Sequence, residues 1–109
     1  ELAPGELDAL FAAARAIHAG PRLLDYIQAL LAESREGAAF SLGMSPRAGL
    51  GLLAAARAWA LLAGRDHVLP EDVQAVLPAV AGHRLRAADD APQPPEALAR
   101  RLIEAVPLP

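Results

Sequence analysis

The sequence has no cysteine, no lysine and no threonine, and only 4% of its residues are aromatic. Each absence excludes something. Without thiols there can be no disulfide framework, thiolate zinc site or cysteine nucleophile. Without lysine the phosphate-binding loop G-x-x-x-x-G-K-S/T cannot be written in these residues. The lack of Thr, with few Ile and Val, removes the residues that favour strands. The ten basic residues are all Arg, scattered in ones and twos, so no basic face is expected for nucleic acid. Long apolar runs are also missing, since none in the most apolar segment approaches the ~20 residues that span a bilayer. Glu1, Glu6 and Asp8 stand where a signal peptide would carry basic residues. A cytoplasmic protein with no membrane or nucleic-acid contact is the expectation.

What is present is helix-forming. The chain has 109 residues, 54% of them apolar and dominated by Ala and Leu, with a net charge of −3. That length supports one domain, covering residues 1–109, with a single core. The fold class follows as all-α, a small bundle of four to five helices.

Along the chain, Pro4-Gly5-Glu6 marks a helix start. Leu7, Leu10, Phe11, Ala14, Ile17 and His18 then recur on one helical face, until Gly20-Pro21 ends the helix. A second helix runs from about Arg22, with Leu23, Leu24, Ile27, Leu30 and Leu31 on its buried side and Tyr26 near its edge. It gives out in the charged run Glu33 to Glu36, read as a solvated helix end before Gly37. From Gly37 to Ser45 no helical period is visible, and a loop is expected.

Ser45-Pro46 is a strong start signal, a hydroxyl cap followed by proline at the first helical position. It places Arg47 in the first turn of a long apolar helix, on the same stripe as the small residues Gly51, Ala54 and Ala58. Leu50, Leu53, Trp59 and Leu61 occupy the other stripes, so this helix is expected in the middle of the domain. Arg57, alone among apolar neighbours, is expected to snorkel or to pair with an acid. Gly64 stops the helix and Pro70-Glu71-Asp72 starts the next, in which Pro78 should cause a kink. A short linker over residues 86–95 precedes a last helix from about Pro95 to Ala105.

A search for catalytic constellations finds none. His18, His67 and His83 fall on three different elements without H-x-x-x-H spacing, and no serine sits in a nucleophile elbow. The chain by itself is not expected to be an enzyme.

Four blocks nevertheless form a pattern: Leu42-Gly43-Met44-Ser45-Pro46-Arg47-Ala48, the Ala/Leu helix through Arg57, Gly64-Arg65-Asp66-His67-Val68 with Pro70-Glu71-Asp72-Val73, and His83-Arg84-Leu85. They resemble the C-terminal lid domain of MoxR-type AAA+ ATPases, which reads G-x-S-P-R-A, a long Ala/Leu helix, G-R-x-x-V-x-P-E-D-V and H-R-L/I. Tyr26-Ile27, Leu30 and Ser34-Arg35 resemble the family's Y-I-x-x-L-x-x-x-S/T-R helix, and Ala105 to Pro109 its usual end.

The resemblance implies a role that composition does not show. In AAA+ proteins a separate α/β core binds ATP and Mg2+, and the lid carries a sensor-2 arginine that reaches the nucleotide phosphates. Arg47 is the matching residue, and a guanidinium, always charged and donating as a planar fork, suits that task. The structural alternative is a first-turn arginine bridging to a neighbouring acid. Arg65 and Arg84 are candidates either for capping and tying the domain together or for contact with a neighbouring subunit. Leu69 departs from the family's Thr or Ser before P-E-D, a lost cap expected to cost about 1 kcal/mol.

The resemblance further implies a fragment cut ahead of the lid, with the Walker motifs in the missing core. The partners would be that core, neighbouring subunits of a hexamer and a von Willebrand factor A domain protein. ATP and Mg2+ belong to the parent protein, and this chain alone is expected to bind no cofactor. The role implied is a lid that couples ATP turnover to chaperone-like remodelling or maturation of other proteins. The alternative is a free-standing helical interaction module using the small-residue stripe of the central helix.

Overall fold

The computed structural model describes residues 4–37, 40–81, 86–87 and 93–109. Five helices carry the fold: α1 (Pro4–Arg15), α2 (Pro21–Glu36), α3 (Pro46–Leu62), α4 (Pro70–Ala81) and α5 (Pro95–Ala105). Two very short strands join them, β1 (Phe40–Leu42) and β2 (Arg86–Ala87), paired antiparallel with Phe40 opposite Ala87 and Leu42 opposite Arg86. The expected all-α bundle is therefore the observed class. The segment expected to be a plain loop between Gly37 and Ser45 instead contains β1, and the linker expected over 86–95 begins with β2. Neither strand has a local signal, because each is defined by a partner more than forty residues away.

Helix α3 packs most extensively on α4 and also touches α1 and α2, while α5 closes the bundle against α4 and α2. The centre is filled by Leu30, Leu52, Val73, Leu77 and Leu102, one or two from each of α2 to α5, with Met44 from the strap before α3. Such a cluster, fully out of water, supplies most of the drive to fold.

The buried side of α3 is not the one its large residues suggest. Ala48, Leu52, Ala56 and Ala60 repeat every four residues and face inward with Gly49, while Leu50 is 71% exposed, Leu62 82%, and Trp59 about half exposed. The small residues allow close approach: a Cβ on Gly49 would lie 2.6 Å from Leu31 Cδ2 of α2. Bulky side chains cannot occupy that seam and are left outside. The stripe of Gly51, Ala54 and Ala58 points away from the bundle centre, and α1 lies over its later part.

Helix α1 also departs from expectation. Of the face read from the sequence, Leu7, Leu10 and Phe11 are only about half covered, Phe11 being 55% exposed, while Ile17 is buried; Ile17 and His18 lie beyond the helix, which ends at Arg15. The α2–α5 core is complete without it, so α1 leans on the outside of α3. In α2 the assignments of two neighbours reverse: Leu24 is exposed, whereas Tyr26 is buried. Tyr26 tolerates burial because its hydroxyl accepts from Gln74 Nε2 of α4 at 3.1 Å.

Apart from α1, which stops at Arg15 ahead of the Gly20-Pro21 signal, helix ends follow the sequence signals closely. Gly64 takes φ +79°, its N–H donates to Leu61 O at 3.0 Å, and Arg65 N–H donates to Ala60 O at 3.0 Å. This is the Schellman arrangement that satisfies the last carbonyls of a helix. Helix α4 continues through Pro78 to Ala81, and α5 spans the range read from its apolar pattern, with Leu98, Ala99 and Leu102 buried.

Candidate functional site

The end of the bundle at which α3 begins is assembled from the last turn of α2 and the strap leading out of β1. Ser34 lies in the charged run read as a solvated helix end, yet it is 1% exposed. Its hydroxyl donates to Leu31 O at 2.8 Å and accepts from Met44 N–H at 2.9 Å. Gly43, one residue before Met44, runs against the α2 backbone: a Cβ there would lie 2.4 Å from Ser34 O. Ser45 then takes an extended conformation, φ −79° and ψ 163°, and its hydroxyl accepts from Ala48 N–H at 3.2 Å. The cap read from Ser45-Pro46 is thus present.

Arg47 is the second residue of α3 and is exposed. It forms no hydrogen bond or ion pair with any described residue, so the structural alternative, a bridge to a neighbouring acid, is not realised among them. The guanidinium stands at the positive end of the helix dipole, where anions are favoured. Beside it, a cleft of about 360 Å³ opens between α2 and α3, lined by Leu24, Ile27, Leu31, Arg35, Pro46 and Leu50 among others. Chemically this end of the molecule can offer a charged planar donor to an anion.

Arg65 is engaged differently. Its guanidinium forks onto Asp72, Nη1 to Oδ2 at 2.5 Å and Nη2 to Oδ1 at 2.6 Å. The Asp72 side chain is only 2% exposed, and Oδ2 also accepts from Leu69 N–H at 2.7 Å. The Arg65 hydrogen bonds hold the Asp72 carboxyl below the usual carboxylate range, against the opposing effect of burial, and Asp72 in turn raises Arg65. The cap expected to be missing at Leu69 is therefore supplied in part from the other side: Asp72, in the first turn, reaches back to the N–H of the capping residue as in a capping box. Arg65 ties the turn after α3 to the start of α4. Arg84 and His83 lie outside the described residues.

The remaining histidines are nearer than their spacing suggests. His18 and His67 pair as a parallel bridge, His18 N–H donating to Asp66 O and Val68 N–H to His18 O, both at 2.9 Å. This knits the α1–α2 turn to the α3–α4 turn. His67 Nδ1 lies 3.0 Å from Asp66 Oδ1, a contact that lowers the Asp66 carboxyl. No group of three or more His, Cys, Asp or Glu able to hold a metal ion exists among the described residues. Likewise, no helix among them is long and apolar enough to cross a membrane.

Sequence reasoning places Ser34 and Asp72 in family blocks but does not give their burial. Ser34 also falls in the charged run read as a solvated helix end, and its burial depends on a partner ten residues on. Asp72 reads in the sequence as part of a proline-plus-acid helix start and of the family's P-E-D block, although an acid three residues after a capping position is itself a signal for the bond it makes.

Comparison with known proteins agrees with this geometry. Residues 32–106 match the family model of the AAA lid domain. The chaperone MoxR1 of Mycobacterium tuberculosis is 49% identical over 70 residues, 62% of this chain and 19% of its own length. The MoxR protein of Paracoccus denitrificans is 39% identical over 101 residues, 81% of this chain and 30% of its own. YeaC of Bacillus subtilis is 33% identical over 96 residues, 85% of this chain and 30% of its own. The crystal structure of a candidate ATPase from Cytophaga hutchinsonii superposes with a TM-score of 0.78 over 90% of this chain and 33% of that one, at 24% identity, which establishes the shared fold. The chain thus spans about a fifth to a third of the length of the proteins it matches. With its capped α3, its Schellman turn and its Arg65–Asp72 fork all inside the matched region, the chain belongs to the AAA lid domain family and is a lid of the kind carried by MoxR-type AAA+ ATPases.

Proposed function

We propose that this lid works as part of an AAA+ ATPase in which Arg47 contacts the phosphates of ATP bound by a separate core domain, and that nucleotide state is passed through α3 to the rest of the lid. The observation that carries this reading is an exposed guanidinium, without a partner among the described residues, on the first turn of a capped helix. ATP with Mg2+ supplies the phosphoryl chemistry in the parent protein; Arg47 supplies a fixed positive charge and a forked donor for developing negative charge. The exposed apolar residues of α1 and α3, Leu7, Phe11, Leu50 and Leu62, support attachment to a further protein surface, namely the core and the neighbouring subunits of a hexamer. The output is chaperone-like remodelling of other proteins, as the name of the Mycobacterium relative suggests, with a von Willebrand factor A domain protein as partner.

The test is Arg47→Ala in the complete protein. ATP turnover should fall at least ~10-fold, the loss of a donor specific to the transition state, with the melting temperature unchanged. Normal turnover in a folded variant would sink the assignment.

The same exposed apolar residues also favour a second reading, a free-standing interaction module that binds a partner through α1 and α3. The coding sequence upstream of Glu1 separates the two. A Walker A lysine there supports the ATPase lid, and a start codon immediately before Glu1 removes it.

A further inference from the structure

We infer that Ser34 is a positioning residue for Arg47, setting the origin and direction of the helix that carries it. The inference rests on the reading of Arg47 as a phosphate contact. Ser34 belongs to α2 and never approaches solvent, but its hydroxyl is the point at which α2 grips the strap into α3. The hydroxyl proton is directed to Leu31 O within α2, which leaves the oxygen lone pairs to accept Met44 N–H across ten residues. Met44 is itself buried, so that N–H has no water to turn to if the hydroxyl is removed.

The strap is held from a second side by shape. A Cβ on Gly43 would meet Ser34 O at 2.4 Å, Ser34 C at 2.6 Å and Arg35 Cα at 2.8 Å, all backbone atoms. The Gly43 backbone therefore rests directly on the last turn of α2. One turn into α3, Gly49 packs against the Leu31 side chain, where a Cβ would lie 2.6 Å from Cδ2. Between these two contacts lie only five residues, Met44, Ser45, Pro46, Arg47 and Ala48, with Ser45 capping Ala48 N–H. The first turn of α3 is thus pinned before and after Arg47 by the same stretch of α2, from Leu31 to Arg35. Ser34 supplies the polar bond of that clamp, and a bond is directional where van der Waals contact is not.

A displacement of about 1 Å at a reacting centre can cost on the order of 100-fold in rate, so a modest relaxation of the strap should be visible in turnover. The experiment is a double-mutant cycle in the complete ATPase, with kcat and KM for ATP measured for wild type, Ser34→Ala, Arg47→Ala and the double variant, and thermal melting recorded for each. Ser34→Ala should lower kcat roughly 10-fold and leave KM within about 2-fold. In the Arg47→Ala background the same change should have no further effect on kcat, because there is no longer a guanidinium to misplace. A role confined to stability would lower kcat equally in both backgrounds, and that result overturns the inference; so does wild-type kcat in a folded Ser34→Ala. If Arg47→Ala alone leaves turnover intact, the phosphate-contact reading itself fails, an outcome distinct from the first two. Should Ser34→Ala not fold, Ser34→Cys takes its place in the cycle: the thiol fills nearly the same volume but is a weak acceptor, and the same outcomes decide.

Discussion

At the scale of single residues, the groups that matter most are short polar side chains committed to several bonds at once. Asp72 accepts two hydrogen bonds from Arg65 and one from Leu69 N–H while almost completely buried. Replacing it with Ala removes all three and strips the fork from Arg65, so chemical denaturation should show a loss of about 2 kcal/mol. The pH dependence follows from the direction of its shift. Its carboxyl is held below the ordinary range in the folded chain, so the unfolded state takes up the proton first as pH falls. The stabilisation is fully present above the ordinary carboxylate range, near pH 4, and is lost as pH drops through the lower folded value. Asp72→Asn should flatten the acid limb of a stability-against-pH curve; an unchanged limb would assign the acid sensitivity to other carboxyls. Ser45 makes one cap bond, to Ala48 N–H, and Ser45→Ala should cost about 1 kcal/mol in the same assay.

At the scale of elements, α3 is the case in which local pattern underdetermines packing. A helix apolar on most of its circumference has several faces that could be buried, and periodicity alone does not rank them. The ranking comes from size: Ala48, Gly49, Ala56 and Ala60 let α2 and α4 come close, and Leu52 fills the seam they leave. Leu52→Ala should therefore cost about 3 kcal/mol, whereas Leu50→Ala, on the same helix and chemically identical, should stay within about 0.5 kcal/mol. Equal costs for the two would contradict the observed orientation of α3. Helix ends were far more legible, because their chemistry is local. Ser45-Pro46, Gly64 and Pro70-Glu71-Asp72 each act on backbone groups within a few residues, and each sits where its type requires. Less legible are the stop of α1 at Arg15, the burial of Ser34 at the end of α2 and the compensation of the uncapped Leu69 by Asp72.

At the scale of the whole molecule, the chain is a self-sufficient core with apolar surface left over. Helices α2 to α5 enclose the buried cluster, and α1 adds a helix against α3 whose Leu7, Leu10 and Phe11 stay about half exposed. Leu7, Leu10 and Phe11 are each about half buried, so substituting all three by Ser should loosen α1 from α3 and lower the helical content seen by circular dichroism, while the cluster of α2 to α5 keeps its cooperative melt. In the complete ATPase the same triple variant should weaken attachment of the lid and lower turnover; full activity would show that this face covers nothing. By itself the chain should neither hydrolyse ATP nor bind it tightly, which calorimetric titration of the isolated lid would check.

The sequence by itself determined the helices, their caps and the helical class, because these depend on propensity and on hydrogen bonds that close within a turn. It also carried the family pattern that singles out Arg47. The tertiary structure decided which side of α3 is covered, that α1 leaves its large apolar residues about half exposed, that β1 finds β2, and that Ser34 and Asp72 are buried. All of these turn on partners distant along the chain or on competition for space between faces of similar hydrophobicity, and neither leaves a mark in local periodicity. Arg47 stands at the meeting of the two: its position on a helix start is written in Ser45-Pro46, and the direction in which it is held is set by α2.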